Sequence, residues 1–119
     1  MAEFLSASLS HSISDDDVLF RVDARIRFQP HELNTHWFLS MTFKEDDTFS
    51  DDRLRSVNRT FFASGQEMDV SFREVIRKRK VDTEWGKEEV FADLEVVPLE
   101  VPPPFRRDTA RTNTTNVSV

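Results

Sequence analysis

The most regular feature of the chain is an alternation of apolar and polar residues with a period of two. Between residues 18 and 29, Val18, Phe20, Val22, Ala24, Ile26 and Phe28 hold the even positions, with Arg21, Asp23, Arg25 and Arg27 between them. Successive side chains of a strand project to opposite faces, so this spacing predicts a long strand with one dry and one wet face. Burial on one side only belongs to an antiparallel sheet, because strands of a parallel sheet are apolar on both faces. The same alternation runs through Leu5, Ala7, Leu9 and Ile13. It returns in Trp37, Leu39, Met41 and Phe43 after a turn region at residues 30 to 35, and in Val90, Ala92, Leu94 and Val96, with Glu89, Asp93 and Glu95 on the other face.

Two stretches are less regular. Residues 56 to 63 are β-prone through Val57, Phe61, Phe62 and Ala63, but their pattern does not define an inward face. Met68, Val70 and Phe72 alternate until Val75 falls on the opposite parity, which predicts either a β-bulge near Arg73 and Glu74 or the end of the strand.

With no convincing helical pattern beside them, these segments predict an all-β fold, an antiparallel β-sandwich or flattened barrel of about six to eight strands. Only Gly65 and Gly86 are available for tight turns, so most connections are expected to be loops of several residues rather than two-residue hairpins. The composition changes near Pro98, passing through Pro102, Pro103 and Pro104 into a polar run of Thr, Asn and Ser. Proline cannot donate to a central ladder, and the polar run has little to bury. The chain is therefore divided into a β-sandwich domain over residues 1–101 and a Pro-rich, then polar, tail over 102–119 that is disordered or extended. The triple proline lacks P-x-x-P spacing and reads as a spacer.

Composition narrows this picture. A length of 119 residues suits one domain, and 38% hydrophobic with 32% charged residues suits a thin core under a heavily charged surface. Burial of that core and the entropy of ordering the chain are of similar size, so self-association would help stabilise the fold. No apolar run approaches the ~20 residues of a membrane span. Residues 1 to 13 lack the pattern of a secretory signal, and a cytoplasmic location is the default expectation. The absence of cysteine excludes disulfides, a thiolate zinc site and a cysteine nucleophile. Net charge is −6, and the arginine-rich segment from Pro98 leaves the body more negative still. Such a field opposes nucleic-acid phosphates and anionic lipid, so neither nucleic acid nor a membrane is an expected partner.

Candidate chemistry follows from topology. If consecutive strands run up and down, the first, third and fifth loops share one end of the sandwich. The first carries Asp15, Asp16 and Asp17, and the third carries Glu45, Asp46, Asp47, Asp51 and Asp52. These are the hard oxygen donors that calcium takes, although they lack the spacing of a D-x-D-x-D-G loop. The fifth loop brings Arg77, Lys78, Arg79 and Lys80 to the same end, followed by Trp85 in a polar setting, and together these form a candidate partner or ligand surface. His11, His31 and His36 show no recurrent metal spacing. No G-x-S-x-G elbow and no glycine-rich phosphate loop is present. Arg21, Arg25 and Arg27 would pair with Glu89, Asp93 and Glu95 if their two strands were neighbours. The function expected from these features is a non-catalytic interaction or assembly module that binds a protein partner or itself. The alternatives are a calcium-binding module using the acidic loops, with calcium as the sole cofactor considered, and a small enzyme with a carboxylate acid or base.

Overall fold

The computed structural model describes residues 2–45, 52–81, 87–99 and 108–118. In chain order the strands are β1 (Glu3–Ser14), β2 (Asp17–Arg27), β3 (His36–Glu45), β4 (Asp52–Phe62), β5 (Glu67–Arg77), β6 (Lys87–Pro98), β7 (Asp108–Arg111) and β8 (Thr115–Ser118). A 3-10 turn, Pro30–Glu32, joins β2 to β3, and a single helical turn, α1 (Lys78–Val81), follows β5. The strands form two antiparallel sheets, one in the order β1-β2-β5 and the other in the order β4-β3-β6-β7, with β8 also paired to β6. Neither sheet closes on itself, so the architecture is a sandwich and not a flattened barrel.

Alternation dictates which faces meet. The even residues of β2, from Val18 to Ile26, and the odd residues of β3, from Trp37 to Phe43, are buried, as are Val90, Ala92, Leu94 and Val96 of β6. Ring contacts stitch the sheets together, Phe20 to Phe43 at 5.3 Å and Phe28 to Trp37 at 5.2 Å between centroids. Trp37 lies wholly in the core, and its indole N–H donates to Thr35 Oγ1 at 2.9 Å, so no polar group is stranded there.

Two sequence expectations are corrected, one in β5 and one in the pairing of β2 with β6. β5 pairs with β2 without a register shift from Glu67 to Arg77, so the strand neither bulges nor ends at Val75. The inward parity resumes at Ile76, which is fully buried, while Val75 faces out. Most connections between strands are loops of several residues, as expected; the β1-β2 connection is instead a two-residue hairpin over Asp15 and Asp16, with Ser14 opposite Asp17. It needs no glycine, because Asp15 adopts φ 51° and aspartate tolerates that region better than most residues. β4, whose inward face the sequence left undefined, places Arg55 and Arg59 opposite Phe43 and Leu39 on the inward side. The Arg59 guanidinium lies 4.4 Å over the Phe72 ring, and Arg55 Nη1 donates to the Val75 carbonyl at 2.7 Å. These two side chains bridge the β4 and β5 edges of the facing sheets. Finally, β2 and β6 lie in different sheets, so the arginines of β2 cannot pair with Glu89, Asp93 and Glu95.

The segment expected as a disordered or extended tail is extended where it is described, and it is paired. Residues 100–107, which contain the expected boundary and the triple proline, lie outside the described residues. Beyond them, β7 and β8 lie against β6, and the segment between and beside them grips the β1 edge. Asp108 Oδ2 accepts from the Phe4 N–H at 2.9 Å, and the Asn113 side chain both accepts from the Leu9 N–H at 2.9 Å and donates to the Leu9 carbonyl at 3.1 Å. Thr115 Oγ1 is 2.7 Å from His11 Nδ1. A primary amide presents one donor and one acceptor, as a backbone residue does, and Asn113 here stands in for a strand neighbour of β1.

Candidate functional site

The strand ends place the expected loop end as follows. Lys78 N–H donates to the Asp16 carbonyl at 2.8 Å, and Arg77 Nε stands 3.9 Å from Asp17 Oδ1, so the first loop meets the basic run after β5. Asp16, Arg77, Lys78 and Arg79 line an open depression of about 300 Å³. Glu45 pairs in register with both Asp52 and Val90, which brings the third connection to the same end. Glu45 lies at the end of β3, where its odd parity buries its side chain. Asp46, Asp47, Asp51 and Trp85 lie outside the described residues, as does the Asp52 side chain. Among the described residues no group of three or more acidic, histidine or cysteine side chains is arranged to hold a metal ion. Two of the histidines make contacts elsewhere: His11 meets Thr115, and the His36 ring lies tilted against Phe62 with centroids 5.1 Å apart.

The outer face of the five-stranded sheet has two contrasting halves. Toward the β7 side, Asp93 lies between Lys44 Nζ at 2.9 Å and Arg111 Nε at 2.8 Å. Arg111 also lays its guanidinium 4.3 Å over Phe91, which explains how that outward-facing phenylalanine is buried. Burial pushes the Asp93 carboxyl up, but the hydrogen bonds and charges of Arg111 and Lys44 together outweigh it and hold the group below its ordinary range. Ser40, Thr42, Asp93, Glu95, Thr109 and Arg111 border a shallow groove of about 540 Å³ over this region. A carboxylate held ionised by two cations is a poor proton donor near neutral pH.

The other half of the face is apolar. Register sets His36 opposite Phe62, and Phe38 opposite both Thr60 and Val97. The Leu99 N–H donates to the His36 carbonyl at 3.0 Å, which extends this row past the end of β6. Phe62 is 41% and Leu99 50% exposed, large values for side chains of this size, and Phe38 and Val97 are half-buried beside them.

The three-stranded sheet presents a polar outer face. Ser6, Ser8, Ser10, Ser12 and Ser14 form an exposed row on β1, next to the arginines and aspartates of β2 and β5. This row was written in the even positions of residues 6 to 14, in the gaps of the Leu5, Ala7, Leu9 alternation, and the apolar pattern alone does not draw attention to it.

The chain matches no known family model, and comparison with curated proteins yields no significant relative. Among the described residues no helix is long and apolar enough to cross a membrane.

Proposed function

We propose that this domain is a non-catalytic assembly module that pairs with a second copy of itself through the apolar half of the five-stranded sheet's outer face. The observation that carries the reading is the cluster of Phe38, Phe62, Val97 and Leu99 around His36. A two-fold dimer applies the same patch to itself, and a patch that is mainly apolar is self-complementary where a chain of net charge −6 would otherwise repel its copy. On the other half of the face Asp93 already has Lys44 and Arg111 as partners, so it needs none from a second copy. A filled core and open, shallow concavities favour binding through surfaces over turnover of a small molecule.

Sedimentation equilibrium from micromolar to millimolar protein tests this reading. The expected result is reversible dimerisation in the unaltered chain, with thermal stability rising with concentration, and a monomer at every concentration for the double variant Phe62→Asp, Leu99→Asp. Both side chains are exposed, so the fold should survive the change. A monomer across the whole range in the unaltered chain would overturn it.

A further inference from the structure

We propose that the outer face of the three-stranded sheet carries a binding site for a tetrahedral oxyanion, a phosphate or sulfate ester, built from Arg21 and Arg73 with the hydroxyls of Ser10 and Ser12. The argument begins with cross-strand register. Along β2 and β5, Asp17 faces Arg77, Arg25 faces Asp69 and Arg27 faces Glu67, so charges on this face meet their opposites. Arg21 and Arg73 break the rule, standing directly across from one another. Like charges opposed in an antiparallel pair are destabilising, and a bound anion reverses the sign of that interaction.

The surroundings supply what such an anion needs. Arg21 gives its Nε to Asp23, at 3.2 Å from Oδ1 and 3.0 Å from Oδ2, which fixes the guanidinium and leaves its terminal nitrogens for a ligand. Among the described residues Arg73 has no carboxylate within ion-pair reach. Register sets Ser10 beside Arg21 and Ser12 beside Leu19, and Ser10, Ser12, Leu19, Arg21 and Arg73 line one open groove of about 320 Å³. Donors thus come from three neighbouring strands, which suits a tetrahedral anion better than a planar carboxylate, and Arg73 supplies a guanidinium charge that no carboxylate among the described residues already pairs. Leu19 lines the groove, and Val75, 48% exposed, stands opposite it on β5. They offer apolar contact to the organic part of an ester.

Isothermal titration at constant ionic strength, with inorganic phosphate, inorganic sulfate and phenyl phosphate as probes, tests the site. The unaltered chain should bind saturably, with phenyl phosphate tighter than inorganic phosphate. Arg73→Gln should weaken binding about tenfold or more, the loss expected for a charge-assisted contact. Arg27→Gln removes the same charge from the same face away from the groove and should leave affinity unchanged. Without ligand, Arg73→Gln should melt no lower than the unaltered chain, because the opposed pair is relieved. Absence of saturation with all three probes, equal weakening by both variants, or a lower melting temperature for Arg73→Gln would each overturn the proposal; phenyl phosphate binding no tighter than phosphate would overturn the role of Leu19 and Val75. The site lies on the sheet opposite the proposed dimer patch, so either conclusion can fail without the other.

Discussion

Replacing Asn113 by alanine should destabilise the domain far more than a change at an exposed polar residue normally does. Asn113 is exposed, yet its amide makes two bonds to Leu9, at 2.9 Å to the N–H and 3.1 Å to the carbonyl. Each such bond contributes about 0.5–1.5 kcal/mol net. Water can reach part of the vacated β1 edge and recover some of this, so the expected loss is about 1–2 kcal/mol, or roughly 4–10 °C in Tm. Asn113→Asp sharpens the test. It keeps an acceptor for the Leu9 N–H but sets a second oxygen against the Leu9 carbonyl, and it should be at least as damaging as alanine. Urea unfolding gives the magnitude, and amide hydrogen exchange at Leu9 gives the location, with protection falling there before it falls in β2 or β3. An alanine variant within about 0.3 kcal/mol of the unaltered chain, with Leu9 still protected, would show that the clasp contributes nothing and refute the reasoning.

Two further outcomes follow from local geometry. Asp93 has a folded-state pKa below its unfolded one, so its contribution to stability is present above the unfolded pKa and is lost as pH falls through the folded value; Asp93→Asn should cost about 1 kcal/mol at neutral pH and flatten the acid limb of stability against pH, measured by urea titration across pH. An unchanged acid limb would count against the Lys44–Asp93–Arg111 assignment. At the β1-β2 hairpin, where Asp15 sits at φ 51°, Asp15→Gly should stay within about 0.5 kcal/mol of the unaltered chain while Asp15→Val loses about 1–2 kcal/mol, again by urea unfolding.

What could be read from residues alone depended on how strictly each strand buries one face. β2, β3 and β6 bury every second side chain, so their faces and parity were legible. β4 was opaque because two of its inward positions are Arg55 and Arg59, whose charged ends cross to β5 and whose stems cover the core edge. The difficulty at Val75 came from one exposed apolar residue between inward-facing positions, and Ile76 carried the missing parity. β7 and β8 are four residues each and mostly polar, with Thr112 and Val117 buried near them, too little for a period to emerge. The aspartate hairpin was hidden because a positive φ was sought only at glycine. Of the surfaces now proposed to function, the outward phenylalanines were visible only as off-pattern apolar residues, and the Arg21–Arg73 opposition depends on strand register, which period alone cannot supply.

The grip of residues 108 to 115 on β1 also orders events in time. Phe4 meets Asp108, and Leu9 meets Asn113, across 104 positions of chain in each case. During synthesis, β1 and β2 can form their hairpin early, yet the β1 edge stays open until the chain has been made past Asn113 and that residue has cleared the ribosome. Long-range closures of this kind are slow, and an open strand edge is a template for pairing with another chain. The same polar contacts that stabilise the finished domain therefore also close an edge that would otherwise stand open to another chain.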